Sequence, residues 1–244
     1  MNAEPAYKSS PSYTQHLGGN RQYMRDIILG VNDGLVSMFL LVAGVVGGGM
    51  TTRNVLLTGV AGAIAGAVSM AAGEYIATKS QEEVFEGELA LEREHIRDFR
   101  QDELHELSDL LEGIGLGGPL GEEVVAHFSE DDEALLKAMT ALEFGVVDTE
   151  RRSPYRAMVM SGGLFLLGAL PAVIPFAFVA KPSSGLLFAT IGAVFGLLVV
   201  GAVKTWATRG NPWRAALENL LVAGLGGGLA YGAGALFDRL VNGG

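Results

Sequence analysis

Five stretches of the chain stay apolar for 19 residues or more with little or no charge: Ile27–Met50, Val55–Gly73, Ala157–Ala180, Ser183–Val203 and Asn219–Phe237. As helices rising about 1.5 Å per residue, each is long enough to cross a hydrocarbon core of about 30 Å, allowing for tilt. Between the second and third stretches the pattern changes. From Thr78 to Glu112 there is no proline and only Gly87, with acids, leucines and arginines at helical spacing. That spacing predicts a long helix running out of the membrane, continuous or broken into shorter ones. Gly113 to Pro119 carries four glycines and reads as a turn. Glu122–Phe128 and Asp132–Val147 read as further helices, the latter capped by Ser129 or Asp131.

The pattern therefore predicts an all-α polytopic membrane protein with five transmembrane helices and a helical module inserted between the second and third. Residues 1–24 form a polar tail, 25–78 the first two spans, 79–154 the module and 155–244 the last three spans. The short connection Thr51–Asn54 makes spans one and two an antiparallel hairpin, and Ala180–Ser184 does the same for spans three and four. Pro171 and Pro175 should kink or break span three near its far end. Gly224, Gly228 and Gly232 of span five offer a small-residue face for helix contact.

Charge separates these parts. The 244-residue chain has a net charge of −10, but residues 79–154 hold 21 of the 27 acids and seven of the 17 bases, a balance of −14. The remainder is +4. An acidic module attracts cations and repels nucleic acid, and no basic patch argues for DNA or RNA. With no cysteine, disulfides and thiolate ligation are excluded, so a metal must be held by carboxylate, imidazole, thioether or backbone oxygen. Residues 1–24 lack the apolar segment of a signal peptide and read as disordered. Lys8, Arg21, Arg25, Lys79, Arg151, Arg152, Arg156, Lys204, Arg209 and Arg214 fall on one side of the membrane, against Arg53, Lys181 and Arg239 on the other. That bias predicts a cytoplasmic N-terminus and module, with the C-terminus outside or in a lumen.

Chemistry concentrates in two places. Asp33 is the only formal charge in Ile27–Met50. An intramembrane carboxylate costs about 2.5–3.5 kcal/mol on insertion scales, so it needs a cation, a proton or a polar partner. Gly30 and Gly34 beside it allow close approach of another backbone or of a second copy of this helix. In span two, Met70 and Glu74 are four apart and share a helix face, a thioether and a carboxylate that suit a borderline divalent cation. In the module, Glu92-x-x-His95 is followed eleven residues later by Glu103-x-x-Glu106. On one continuous helix, Glu92 and Glu103 would point within about 20° of each other. Met139 and Glu143 could face them from the last module helix. Ordinary solvation of an acidic helix accounts better for any one of these acids taken singly, and Arg93, Arg97 and Arg100 also allow plain ion pairs; the cluster as a whole is more specific. Asp102-x-x-His105 provides a second acid–histidine pair, and the repeated spacing raises a ferritin-like di-iron oxidase as a rival. Only Glu143 and Glu123 could supply the further carboxylates such a centre needs.

The stretches Arg25-Asp26-Ile27-Ile28-Leu29-Gly30-Val31-Asn32-Asp33-Gly34 and Ser69-Met70-Ala71-Ala72-Gly73-Glu74-Tyr75, with Met139 through Gly145 and the Pro171/Pro175 pair, resemble the vacuolar iron transporter family, including its nodulin-like and bacterial branch. The resemblance implies five spans, a homodimer, and a path lined by the first two helices of each subunit. It implies export of cytosolic iron(II), often also manganese(II), in exchange for protons. By position, Asp33 and Met70 match the family's intramembrane metal site. Glu92, Glu103, Glu106, Met139 and Glu143 match ligands of its cytoplasmic domain, which come from separate short helices. His95 stands where the family usually has Glu, and Glu74 follows the bacterial and nodulin-like pattern. The expectation is a secondary active transporter rather than an enzyme, in a bacterial cell membrane or a vacuolar membrane. It would have no permanently bound cofactor, iron(II) as substrate, and manganese(II), zinc(II) or cobalt(II) as alternative metals. Its partners would be divalent ions, protons, lipid and a second copy of itself, with no nucleic acid. A membrane-bound iron sensor, binding metal without moving it, is the other open reading.

Overall fold

The computed structural model describes the backbone of residues 20–145, 152–208 and 212–242, and the side chains of 24–145, 152–205 and 217–241. Eight α-helices run in the order α1 Asn20–Gly47, α2 Thr52–Asp98, α3 Arg100–Gly113, α4 Gly118–Phe128, α5 Asp132–Glu143, α6 Pro154–Val173, α7 Pro182–Thr208 and α8 Pro212–Asn242, with no strand among the described residues. Five of these helices, α1, α2, α6, α7 and α8, are long and apolar enough to cross a membrane. The chain is a polytopic all-α membrane protein. Residues 1–19 of the expected tail lie outside the described residues, and 20–24 already belong to α1.

α1 is the hub of the spans, packing against α2, α6, α7 and α8. Its Leu35, Met38, Phe39 and Val42 are buried together with Val55, Ala63 and Ala67 of α2, Phe165, Ala169 and Ala172 of α6, Ala189, Ala193 and Leu197 of α7 and Ala223 of α8. Lipid tails are as apolar as leucine, so such helices associate through close van der Waals packing at small residues. Gly34 is the tightest case toward α6: a Cβ there would sit 2.1 Å from the Phe165 carbonyl oxygen. The close approach expected at Gly30 and Gly34 is thus made to α6. Gly34→Val should lower the melting temperature of the detergent-purified protein by an amount equivalent to about 1–3 kcal/mol or more. Gly163→Ala, where nothing lies within 4 Å, should be neutral or slightly stabilising. Equal melting of the two variants would contradict this packing.

The small-residue face expected on the last span makes no contact within the protomer among the described residues. Gly224, Gly228 and Gly232 meet nothing within 4 Å, whereas Gly227 abuts Phe39 and Gly234 lies against the Gly44 carbonyl. The contact face of α8 toward α1 keeps i, i+3/i+4 spacing but is rotated, running through Gly227, Ala230, Tyr231 and Gly234. The Pro171/Pro175 expectation corresponds to an α6 that ends at Val173 and continues as a 3-10 turn over Ile174–Ala177. The missing amide hydrogen of Pro175 favours that change of pitch.

α2 is the longest element, 47 residues or about 70 Å, and it passes through residues 78 and 79 without interruption. It ends at Phe99, whose φ of −129° and ψ of 34° break the helix. The continuous helix to Glu112 is therefore replaced by α2 and a separate α3. α3 and α5 pack on the far part of α2 and on each other, α4 packs on α3 and α5, and none of the three touches another described helix. Their core is Leu89 and Ile96 of α2, Leu107 and Leu111 of α3, and Leu135, Leu136 and Met139 of α5. Asp131 caps α5, its carboxylate accepting from the backbone N–H of Glu133 (2.9 Å) and Ala134 (3.2 Å). α5 stops at Glu143, short of Val147, because Gly145 takes a left-handed φ of +64°. Arg100 clips the start of α3 to the start of α5, donating to Asp132 and to the Ser129 carbonyl.

Candidate metal centre and membrane path

The break at Phe99 decides the geometry of the module site. Instead of stacking along one helix, Glu92 and His95 on α2 meet Glu103 on α3 across the turn. Donor atoms of these three side chains lie within 4.8 Å of one another, the only such group of three or more acids and histidines among the described residues. Glu92 and Glu103 are buried, and His95 is partly exposed with Nδ1 3.3 Å from Glu103 Oε1. One oxygen each of Glu92 and Glu103 is buried without a hydrogen-bond partner. Buried unpaired carboxylate oxygens are costly, and two such carboxylates beside one imidazole are a donor set a divalent cation would satisfy.

Electrostatics reflect the crowding. Burial, followed by repulsion from Glu103, Glu143 and Glu106, pushes the Glu92 carboxyl up to about 8. Glu143 is raised as well, by burial and by Glu106, Glu103 and Glu88. Glu106 and Glu143 therefore act on the cluster without joining its 4.8 Å core. Met139 is fully buried, one turn before Glu143, within the apolar core of the module. Glu106 also lines an open cleft of 680 Å³ with Asp102, His105 and Asp109. Glu123 is exposed on α4 and adds nothing to the cluster, which leaves a di-iron arrangement short of carboxylates.

In the spans the three expected residues are placed differently from one another. Met70 packs, half-buried, against the core of the spans. Asp33 lies exposed at the surface of the protomer, within the apolar length of α1.

A model of the VIT family matches residues 24–235, nearly the whole of the chain. The chain belongs to the VIT family. It is 32% identical over 214 residues to vacuolar iron transporter 2 of Oryza sativa subsp. japonica, covering 86% of each chain. It is 31% identical to vacuolar iron transporter 1 of Eucalyptus grandis, covering 86% of this chain and 85% of that one. Protein CCC1 of Saccharomyces cerevisiae is 27% identical over 84% of this chain and 66% of its own length.

In this VIT family chain, Glu74 does not stand free beside Met70. Arg152, just ahead of α6, donates from Nη1 to Glu74 Oε1 at 3.3 Å and from Nη2 to Asp26. Arg25 adds weaker contacts, 3.7 Å to Asp26 and 4.0 Å to Glu74. Asp26 and Arg152 are two functional candidates that the sequence reading passed over. Asp26 lies in the Arg25–Gly34 stretch, next to Arg25, and Arg152 is one of the basic residues of the orientation bias. A buried arginine needs carboxylate partners, but nothing in the local pattern says that residues 26, 74 and 152 converge.

Proposed function

We propose that the protein is a proton-coupled antiporter that exports iron(II) from the cytosol, with manganese(II) as a second substrate, and that it works as a homodimer. The observation that carries this reading is the single unbroken α2, which holds Glu92 and His95 of the donor cluster near one end and Met70 and Glu74 in its membrane portion. Family membership and the names of the relatives supply the metal: iron. Burial of Glu92 and Glu103 around an imidazole favours a borderline divalent ion over calcium or magnesium, which prefer all-oxygen sets.

In this reading the acidic module, residues 79–154, collects the ion on the cytosolic side. The ion then passes to Glu74, Met70 and Asp33. Exposure of Asp33 on a span supports the dimer, because a carboxylate facing lipid is costly while one facing a second α1 and α2 lines a polar path. The apolar side chains Leu57, Val60, Ile64 and Val68 that α2 leaves exposed offer surface for the same contact. Protonation of the path carboxylates from the far side releases the metal and returns the carrier. The protein supplies no covalent chemistry.

The test is iron(II) uptake by proteoliposomes with and without an imposed proton gradient. Uptake that rises with the gradient and is absent from protein-free vesicles is the expected result. Metal binding by the protein with no uptake under either condition would overturn transport in favour of a sensor. Uptake indifferent to the gradient would overturn the coupling.

A further inference from the structure

Asp26, Glu74 and Arg152 come from three different helical segments, α1, α2 and the lead-in to α6, and meet at one end of the bundle. Each acid lies on the face of a residue already assigned to the path. Glu74 is one turn from Met70, and Asp26 is seven residues from Asp33, a separation that returns to within about 20° of the same direction. The side chains of Asp26 and Arg152 are 4% and 12% exposed, so the guanidinium is largely out of water. Each acid takes one arm of the guanidinium, Glu74 at 3.3 Å, and the Arg152 Nε is buried without a partner. A guanidinium best placed for one carboxylate would use its fork in a bidentate pair. Here the fork is split between two acids, and neither is held by both arms.

We propose that Arg152 is a tethered counter-cation that occupies the Glu74 carboxylate at the module-facing mouth of the path and is displaced from it by the transported divalent ion. The inference rests on the transport reading given above. With Arg152 and Arg25 in place, the two acids at the mouth are balanced by two bases, so a monovalent ion gains no charge advantage over the guanidinium it would replace. A divalent ion does. Two carboxylates and one doubly charged ion are neutral together, and Arg152 can then swing toward water while its Asp26 contact loosens. Arg152 is thus a positioning and selectivity residue: it sets a threshold that doubly charged ions cross and potassium or sodium do not.

The experiment measures iron(II) uptake by gradient-driven proteoliposomes against iron(II) concentration, with and without physiological potassium, for wild type, Arg152→Gln and Arg152→Lys. Losing a charge-assisted competitor should lower the half-saturating iron(II) of Arg152→Gln by roughly tenfold. Its uptake should become inhibitable by potassium, and Arg152→Lys should restore most of the wild-type behaviour. A purely structural arginine would lower the amount of folded protein and leave half-saturation and potassium sensitivity unchanged in the fraction that transports; that result overturns the proposal. Should Arg152→Gln fail to fold with Asp26 left unpaired, Asp26→Asn/Arg152→Gln removes that charge while still freeing Glu74 of its competitor, and uptake by it should become inhibitable by potassium. Hydrogen exchange on the wild type gives a variant-free arm: amides of residues 155–160 should lose protection when cobalt(II) is added, and unchanged protection counts against displacement. Absence of any wild-type uptake would sink the transport reading instead, so the two failures are distinguishable.

Discussion

Asp33→Asn is expected to reduce gradient-driven iron(II) uptake to the level of protein-free vesicles while leaving the purified protein folded. Asparagine keeps the size and the hydrogen-bonding reach of the side chain and removes only its charge and its proton. Among the described residues nothing depends on that charge: Asp33 is exposed, and no described ion pair includes it. In a bilayer the substitution even relieves a cost of about 2.5–3.5 kcal/mol, so stability should stay level or rise. The charge has no structural use among the described residues, which is why its cost points to use in the path of the proposed dimer. An intramembrane ion that loses an anionic ligand loses both affinity and the group that exchanges metal for a proton. Asp33→Glu, which keeps the charge on a longer arm, should retain partial uptake. Undiminished uptake by Asp33→Asn at wild-type expression would remove Asp33 from the path. Loss of uptake together with loss of the folded state would instead make Asp33 structural.

The spans could be read from the sequence because lipid imposes a crude rule: about 20 residues without charge, and every backbone group bonded within its helix. α1, α2, α6, α7 and α8 follow from that rule with little help from packing. Which glycines make contacts did not follow. Gly227 and Gly234 rather than Gly224, Gly228 and Gly232 face α1, since the choice depends on the rotation of α8, and a helix apolar all round does not encode its rotation. In the module the site residues were legible but their geometry was not. Glu92, His95 and Glu103 do converge. They do so because the chain turns at Phe99, a residue with no breaker chemistry in a segment free of proline. Burying Leu107 and Leu111 of α3 against Leu89 and Ile96 of α2 requires that turn, so tertiary packing overrides local helix propensity. The Asp26–Arg152–Glu74 junction was the least legible feature, since three charges spaced 48 and 78 residues apart carry no periodic signal.

The metal-free protein should lose stability as pH rises from about 4.5 to about 8, and a divalent ion should reverse the trend. Burial and neighbouring carboxylates push Glu92 from its ordinary 4.5 up to about 8. Below pH 4.5 the carboxyl is protonated in folded and unfolded chains alike. Between the two values the unfolded chain releases the proton and the folded one keeps it, so the stabilisation present at acid pH is lost progressively and is gone above about pH 8. Linkage puts the loss on the order of a few kcal/mol. Glu92→Gln holds that position permanently neutral and should melt higher than wild type at pH 8 in the presence of chelator, with a flatter pH profile. A divalent cation replaces the proton. Cobalt(II) affinity of the wild type should therefore climb with pH up to about 8, by nearly tenfold per unit for one proton released. In Glu92→Gln the affinity should be weaker at pH 8 and show less of that climb. The measurement is a melting series of the full-length protein in detergent between pH 5 and 9, paired with cobalt(II) titrations at three of those values. Parallel pH profiles for wild type and Glu92→Gln would show that the Glu92 proton is not the one metal displaces, and would move the coupling to Glu143, whose carboxyl is raised by the same acids.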